Sequence, residues 1–542
     1  MLNLLALAPI VLALVLLAVF KVPAKKTMPL AFLVTALLAL VFWDMKPLEL
    51  LTFSVVGGLR AIDILLIVFG ALLLFNVLAT SGGLNAISRS FSNISKDRRI
   101  QAIIIGFGLV SLLEGLAGFG TPAAIAAPLL VALGFSPVAA VAFSLICNMP
   151  STAFGAVGTP TIAMMSIIGD SADLTDLPGK IALLNGAAAI ITPLLAIAVL
   201  VLVFGHPRSL RERIRDILAI LPFALFAGLS FAIPFVVIAF TLGPEMPSII
   251  AGAIALIATV IAAKTGFLVP KRDWHFRKKE DWPEVWREKE HAIEKEYGAR
   301  KMSFVRAWLP YIMIALTLVL TRIPLFGLAP YLQNLVFSLK DIFGVAGASY
   351  DFHPLWIPGT VFIIVAAITF FMHKMDKKSL KIALSKTAKQ TIGAALTICF
   401  GLALVQVMMN THINYSGNPS MIDFIAETFA LLPGGLYFVV SPLLGIVGAF
   451  VSGSNTVSNI LFTKAQFATA DLLGLGYMLV LALQCVGGSL GNMICAHNVV
   501  AASTAAEARD GAESKIIKLN IPPMLIMTGV ILLVALVAFE ML

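Results

Sequence analysis

Chemistry in this chain is concentrated at short polar interruptions of otherwise apolar stretches. One is Gly118-Phe119-Gly120-Thr121-Pro122 and another is Gly453-Ser454-Asn455-Thr456-Val457-Ser458-Asn459. Each leads into a long apolar stretch that is itself broken, at 148–152 and 155–160 after the first and at 487–492 and His497-Asn498 after the second. Gly118, Gly120, Gly453 and Ser454 let a backbone approach a ligand closely. Thr121, Thr159, Asn455, Thr456, Ser458, Asn459 and Asn498 offer side-chain hydrogen bonds. Unpaired N–H groups at the start of a broken helix attract anions. Neither tip carries a Lys or Arg, so small-anion binding by helix ends and amides is the expected chemistry, with Phe119 as an apolar wall. Two groups could change protonation. Glu114 stands in an apolar arm one helical turn before Gly118, and His497 sits in the matching break of the second half.

The elements that position these residues follow from composition. Of 542 residues, 59% are hydrophobic and only 12% charged, with a mean hydropathy of +0.98. A soluble protein carries about a quarter charged residues. That excludes a soluble enzyme, a disordered chain and a coiled coil, and leaves an all-α polytopic membrane protein. The net charge of +9 is read as cytoplasmic-loop charge, because the basic stretches lack the aromatic platforms of nucleic-acid binders. Cys147, Cys399, Cys485 and Cys495 lie in apolar stretches without ligand spacing, so no disulfide framework, metal site or cofactor is expected. Residues 2–20 have no basic segment before them and no A-x-A pattern, and are read as a retained span rather than a signal peptide.

A helix needs about 20 apolar residues to cross the hydrocarbon core. Twelve stretches qualify: 2–20, 28–43, 60–79, 136–168, 180–204, 216–241, 248–263, 304–320, 356–372, 390–410, 472–502 and 521–541. Two interrupted stretches, 100–134 and 434–468, are read as re-entrant hairpins. With both termini outside, 32 of the 38 basic residues fall on inner loops, as the positive-inside rule requires. Arg60 and Lys464 are expected near span or hairpin ends, snorkelling to the interface, and Asp63 at the interface near a span's outer end. The loop 264–306 carries 20 of the 67 charged residues and Trp274, Trp282 and Trp286. It is expected to form a surface helix against the membrane. The organisation is then scaffold helices in 1–59, a first repeat in 60–204, further scaffold in 205–389 and a second repeat in 390–542.

The two repeats match in order: span, hairpin, broken span. From Gly118 to Thr159 is 41 residues and from Gly453 to His497 is 44. In this topology they enter the membrane from opposite sides, which makes them inverted repeats. Paired interruptions at corresponding positions point to a transporter's binding site, since irregular backbone at membrane depth survives only where protein or a cavity satisfies it.

The run from Glu114 to Ile125 resembles the first signature of the bacterial L-lactate permease family, and the run from Gly453 to Phe462 resembles its second. The likeness covers most of 60–204 and 390–541. It implies proton symport of L-lactate, with D-lactate and glycolate as further substrates, across the bacterial inner membrane, and no enzymatic activity. The Ser-Asn-Thr tip is also similar to hairpin tips of the wider ion-transporter superfamily. That broader likeness implies an elevator-type transport domain moving against a scaffold, and a homodimer. On this reading Gly118, Phe119, Gly120, Thr121, Thr159, Ser454, Asn455, Thr456, Asn459 and Asn498 bind substrate. Glu114 carries the proton, with His497 as second candidate. Two alternatives stay open: a sodium-coupled carboxylate symporter using the same oxygens as a cation cage, and, more distantly, an intramembrane hydrolase with Ser454 as nucleophile and His497 as base.

Overall fold

In hydrocarbon every backbone N–H and C=O must be paired within the protein, which leaves helices as the economical way for so apolar a chain to fold. The computed structural model describes residues 2–18, 20, 22–89, 94–118, 120–206, 209–287, 302–322, 326–509 and 511–540. Three helices open the chain, α1 (Leu2–Ala18), α2 (Ala24–Phe42) and α3 (Pro47–Ser81), with a short α4 (Gly83–Arg89). The first hairpin follows. Its rising arm is α5 (Arg98–Ala102), a π-helical stretch Ile103–Leu109 and α6 (Val110–Ala117); its returning arm is α7 (Thr121–Ala132). Then come α8 (Pro137–Asn148), a 3-10 turn Met149–Phe154, and α9 (Gly155–Ile168). The middle of the chain holds α10 (Leu177–Val199), extended by a π-helical end Leu200–Phe204, α11 (Leu210–Leu242), α12 (Pro247–Thr265), α13 (Phe304–Arg322) and a short α14 (Leu328–Gln333). A small antiparallel ladder, β1 (Phe337–Leu339) with β2 (Tyr350–Phe352), pairs Phe337 with Phe352. The second half runs α15 (Pro358–Met372), α16 (Lys377–Asn410), α17 (Met421–Ala430), the second hairpin α18 (Gly434–Ser452) and α19 (Asn455–Leu472), the broken span α20 (Tyr477–Asn492) and α21 (Ala496–Ala505), and α22 (Ala512–Glu540).

Eleven helices among the described residues, taken across their internal breaks, are long and apolar enough to cross a bilayer. Nine coincide with spans expected from sequence. The other two, Arg98–Ala117 and Gly434–Ser452, are the first arms of the expected hairpins, which run unbroken up to their glycine tips. Three expected spans, in α1, α13 and α15, are shorter apolar helices. The returning arm α7 has 12 residues, about 18 Å at 1.5 Å per residue, well short of the ~30 Å core. The first hairpin therefore doubles back inside the protein.

Glycines set how closely the arms pack. Gly115 of α6 faces the backbone of Ile249, and Gly252 of α12 faces the backbone of Leu112. In the second half, Gly445, Gly487 and Gly491 lock α18 against α20, and a Cβ at Gly487 would overlap the Pro442 carbonyl. Gly487→Val is therefore expected to split these helices and to lower the melting temperature of the purified protein sharply, by several degrees or more. An unchanged melting curve would show that the α18–α20 contact is not tight. A second packing group joins α1–α3, α16 and α17 through apolar side chains, with α3 lying along α16 and α15.

The loop after α12 departs from expectation. Residues 268–287 are not a surface helix: they run extended, with single 3-10 turns at Lys279–Asp281 and Glu284–Trp286. Gly266, Pro270 and Pro283 interrupt any helix there. Trp274, Trp282 and Trp286 are each 6% exposed and face protein; the Trp286 ring meets Phe204 at 4.5 Å and Trp274 meets Phe276 at 5.0 Å. The strap ties down the base of the first hairpin. Arg98 N–H donates to the Trp274 carbonyl at 3.1 Å, and Trp274 N–H donates to Asp97 at 3.2 Å. Arg99, 1% exposed, pairs with Asp97 at 2.5 Å and donates to the carbonyls of Asp216 at 2.5 Å and Arg272 at 3.0 Å. Residues 288–301 lie outside the described residues.

Candidate functional site

The four interruptions come together. Tip one turns through Gly118 (φ 54°) and Gly120 (φ 75°), conformations that glycine adopts at no steric cost. The Thr121 hydroxyl closes the turn by donating to the Gly118 carbonyl at 2.5 Å. A side chain at Gly118 would meet the backbone of Ala156, and one at Gly120 would overlap the Asn498 amide. Tip one is thus wedged between the break of its own repeat and the break of the other. Tip two turns at Gly453 (φ 78°), whose open side faces His497. Its Ser454 caps α19 by accepting from Val457 N–H at 3.4 Å.

The break inside α9 is unusual backbone. Ala156, Val157 and Gly158 all have positive φ (42°, 59° and 78°). For Ala and Val this is a strained conformation of the kind that clusters at functional sites. Helix resumes at Thr159, whose hydroxyl donates to the Ala156 carbonyl at 2.5 Å. The returning arm of each hairpin packs on the post-break helix of the other repeat, α7 on α21 and α19 on α9, the reciprocity expected of two-fold-related repeats. Asn459 fastens the second crossing by donating to the Pro160 carbonyl at 3.0 Å. Asn455 donates to the Cys485 carbonyl at 3.1 Å and to Ser489 at 3.2 Å.

Between these parts lies a narrow cleft, with about 310 Å³ of empty space when the open solvent at its mouth is included. Three helix starts edge it: α7 at Gly120, the resumed α9 at Thr159 and α19 at Ser454–Thr456. The first N–H groups of each helix have no partner within that helix, so three positive dipole ends converge on one space. Thr456 is 3% exposed, and among the described residues its hydroxyl has no protein partner. Glu114 is the one ionisable group among the described lining residues. It is 2% exposed; Gly155 leaves room for one of its oxygens, and among the described residues Oε2 has no partner.

Of the residues singled out from sequence, Glu114, Gly118, Gly120, Thr159, Gly453, Ser454, Asn455 and Thr456 line the cavity. Thr121, Asn459 and Asn498 are a step behind it, shaping the tip and the crossing helices; Asn498 donates to the Asn492 side chain. Phe119 lies outside the described residues. His497 is exposed at the start of α21 and packs on Gly453 rather than lining the cavity, because the chain turns outward just before it. Thr152, Gly155, Ala156, Pro160 and Asn492 line the cavity without having been singled out. All five belong to breaks that the sequence displays. Arg60 donates to the Ser166 carbonyl at 2.6 Å, and Asp63 accepts from the Tyr350 hydroxyl at 2.8 Å. Each is held by a neighbouring element that its own stretch of sequence does not reveal.

The family model described as L-lactate permease matches residues 3–542. A Haemophilus influenzae protein named a candidate L-lactate permease is 32% identical over 87% of this chain and 86% of its own. The L-lactate permease of Escherichia coli is 28% identical, over 91% of this chain and 88% of its own. The glycolate permease GlcA of the same organism is also 28% identical, over 97% of this chain and 94% of its own. Among solved structures, the YdaH transporter of Alcanivorax borkumensis aligns over 94% of this chain and 97% of its own at 16% identity, with a TM-score of 0.47. MtrF of Neisseria gonorrhoeae aligns over 95% of this chain and 94% of its own at 12% identity, with a TM-score of 0.48.

Proposed function

The chain belongs to the L-lactate permease family, and from that premise we propose that it imports L-lactate, with D-lactate and glycolate as further substrates, by proton symport across the bacterial inner membrane. The observation that carries the reading is the cavity. Three helix N-termini and the Thr456 hydroxyl face a space whose one described ionisable lining group is a buried carboxylic acid. A 2-hydroxy-monocarboxylate offers one anionic end and one hydroxyl. The helix ends suit the first, and Thr456 suits the second. Asn455 and Asn492 complete the polar rim. Nearby glycines keep the site narrow.

Glu114 supplies the coupling. Among the described residues its carboxylate has one oxygen without a partner, and a lone charge buried beside a bound anion is costly. Taking up a proton removes that charge, so substrate and proton favour each other's binding. Both hairpins and both broken spans then move as one transport body against α1–α3 and α16, with the termini outside and the long loop 264–306 inside. Ser454 is engaged as the N-cap of α19, a structural use that argues against a nucleophile. A sodium-coupled variant draws on one observation: Asn455 Oδ1 and Asn459 Oδ1 are buried without partners among the described residues, as oxygens facing a cation would be.

Thr456→Val keeps the shape and removes the hydroxyl. The KM for L-lactate is expected to rise about 10-fold, the ~1.4 kcal/mol of one hydrogen bond, with maximal rate little changed. Uptake kinetics in proteoliposomes measure it. An unchanged KM would take Thr456 off the substrate.

A further inference from the structure

One residue lining the cavity has a fixed neighbour on one side and an unused donor on the other. Asn492 ends α20, lines the cavity and is 6% exposed. Its side-chain oxygen accepts from the amino group of Asn498, which stands on α21 and is 1% exposed. The same Asn498 amino group lies 3.5 Å from the Asn492 main-chain carbonyl. A carbonyl only accepts, so that end of Asn498 is the nitrogen, and the Asn492 side-chain atom facing it is the oxygen. The other end of Asn492 is therefore its NH₂ group. Among the described residues that group donates to no protein acceptor.

The place of Asn492 gives this donor a task. Three helix starts favour an anion in the cavity, but α20 reaches it by its C-terminal end. The last carbonyls of a helix carry the negative end of its dipole. A side-chain oxygen turned inward there would add to the repulsion of a carboxylate, whereas an NH₂ group turned inward offsets it. Asn498 decides which of the two the cavity meets. Its own oxygen faces tip one, where a Cβ on Gly120 would overlap it, and has no partner among the described residues. Asn498 thus stands between tip one and the break of the second repeat, on the helix against which α7 packs.

We propose that Asn492 Nδ2 donates to the substrate carboxylate, and that Asn498 is the positioning residue that turns it inward by holding the Asn492 oxygen. The inference rests on the reading of the cavity as the lactate site. It divides the polar rim by role: Asn492 reads the carboxylate and Thr456 the hydroxyl.

The test measures lactate-for-lactate exchange in proteoliposomes for wild type, Asn492→Ala, Asn498→Ala, Asn498→Leu and the Asn492→Ala/Asn498→Ala double variant. Propionate, which keeps the carboxylate and lacks the hydroxyl, is the competitor. In Asn492→Ala the KM for L-lactate is expected to rise at least about 10-fold, the scale of one hydrogen bond to a charged group. Inhibition by propionate is expected to weaken by about the same factor, because both acids present a carboxylate. Either substitution of Asn498 frees the Asn492 amide to turn. The KM is then expected to rise about 3- to 5-fold, with maximal exchange rate and melting temperature close to wild type. Asn498→Leu refills the space, which keeps the test open if alanine destabilises the fold. In the double variant the KM is expected to match that of Asn492→Ala alone, since no amide is left to position. The proposal is overturned if Asn492→Ala leaves KM unchanged, or weakens lactate without weakening propionate, which would put Asn492 on the hydroxyl. It is also overturned if the two KM effects multiply in the double variant. Asn498 variants that lose rate and melting temperature at an unchanged KM would mark a packing role and overturn it too. Wild-type vesicles that exchange no lactate overturn the lactate reading, and this assignment with it. Normal exchange in wild type, with Asn498 variants indistinguishable from it, overturns the positioning role alone.

Discussion

Glu114→Gln is expected to abolish lactate accumulation driven by an imposed proton gradient, by at least about 100-fold, while lactate-for-lactate exchange survives. The substitution is nearly isosteric, so the carboxylate's place beside Gly155 stays filled. Glutamine resembles the protonated acid: it carries no charge and cannot release a proton. A carrier held in that form can bind substrate and shuttle while loaded, which is all that exchange requires. Net uptake also needs the empty carrier to return after losing its proton, and glutamine has none to lose. A 100-fold loss corresponds to about 2.7 kcal/mol on the limiting step, modest beside the cost of burying an unpaired carboxylate. Radiolabelled uptake and counterflow from the same vesicles give both numbers. Equal loss of the two would make Glu114 a substrate or packing residue instead.

Asp97→Ala is expected to have the largest effect on stability. Asp97 receives three N–H groups of Arg99, one from its backbone and two from its side chain, and the Trp274 N–H as well. Arg99 is 1% exposed, so removing the carboxylate leaves a buried guanidinium with, among the described residues, the carbonyls of Asp216 and Arg272 as its remaining partners. Breaking one partner of a buried pair typically costs about 3–5 kcal/mol. Loss of Asp97 also releases the strap from the base of the first hairpin. The purified variant should therefore melt well below wild type or fail to yield monodisperse protein. A double replacement, Asp97→Leu with Arg99→Met, should recover much of the loss, since apolar substitutes for a buried ion pair are often close to neutral. A single variant melting at the wild-type temperature would show that the clamp does not hold the hairpin.

What the sequence displayed and what it hid have physical causes. The tips were legible because Gly118, Gly120 and Gly453 break long apolar runs, and glycine, serine and asparagine have few reasons to cluster at that depth. Glu114 was legible because a carboxylate in an apolar arm is expensive and so calls for a purpose. The repeat order was legible because each hairpin precedes a span with its own break. Lateral pairing was not. That α7 would meet α21 and α19 would meet α9 depends on contacts hundreds of residues apart, which no local period encodes. The strap is hidden for a similar reason: tryptophans near charged residues look interfacial until Phe204 is known to stand against Trp286 and Phe276 against Trp274. His497 looked central from its place in a break, yet the direction of a side chain at a helix start is set by the turn before it, and here that turn points it outward.

The coupling ion is the centre of the account. The most direct measurement is accumulation of radiolabelled L-lactate by wild-type proteoliposomes under an inward proton gradient, an inward sodium gradient, or neither. Accumulation with the proton gradient alone, unchanged by sodium, is the result expected. Accumulation that follows sodium and ignores protons would contradict it, and would move the cation to Asn455 and Asn459.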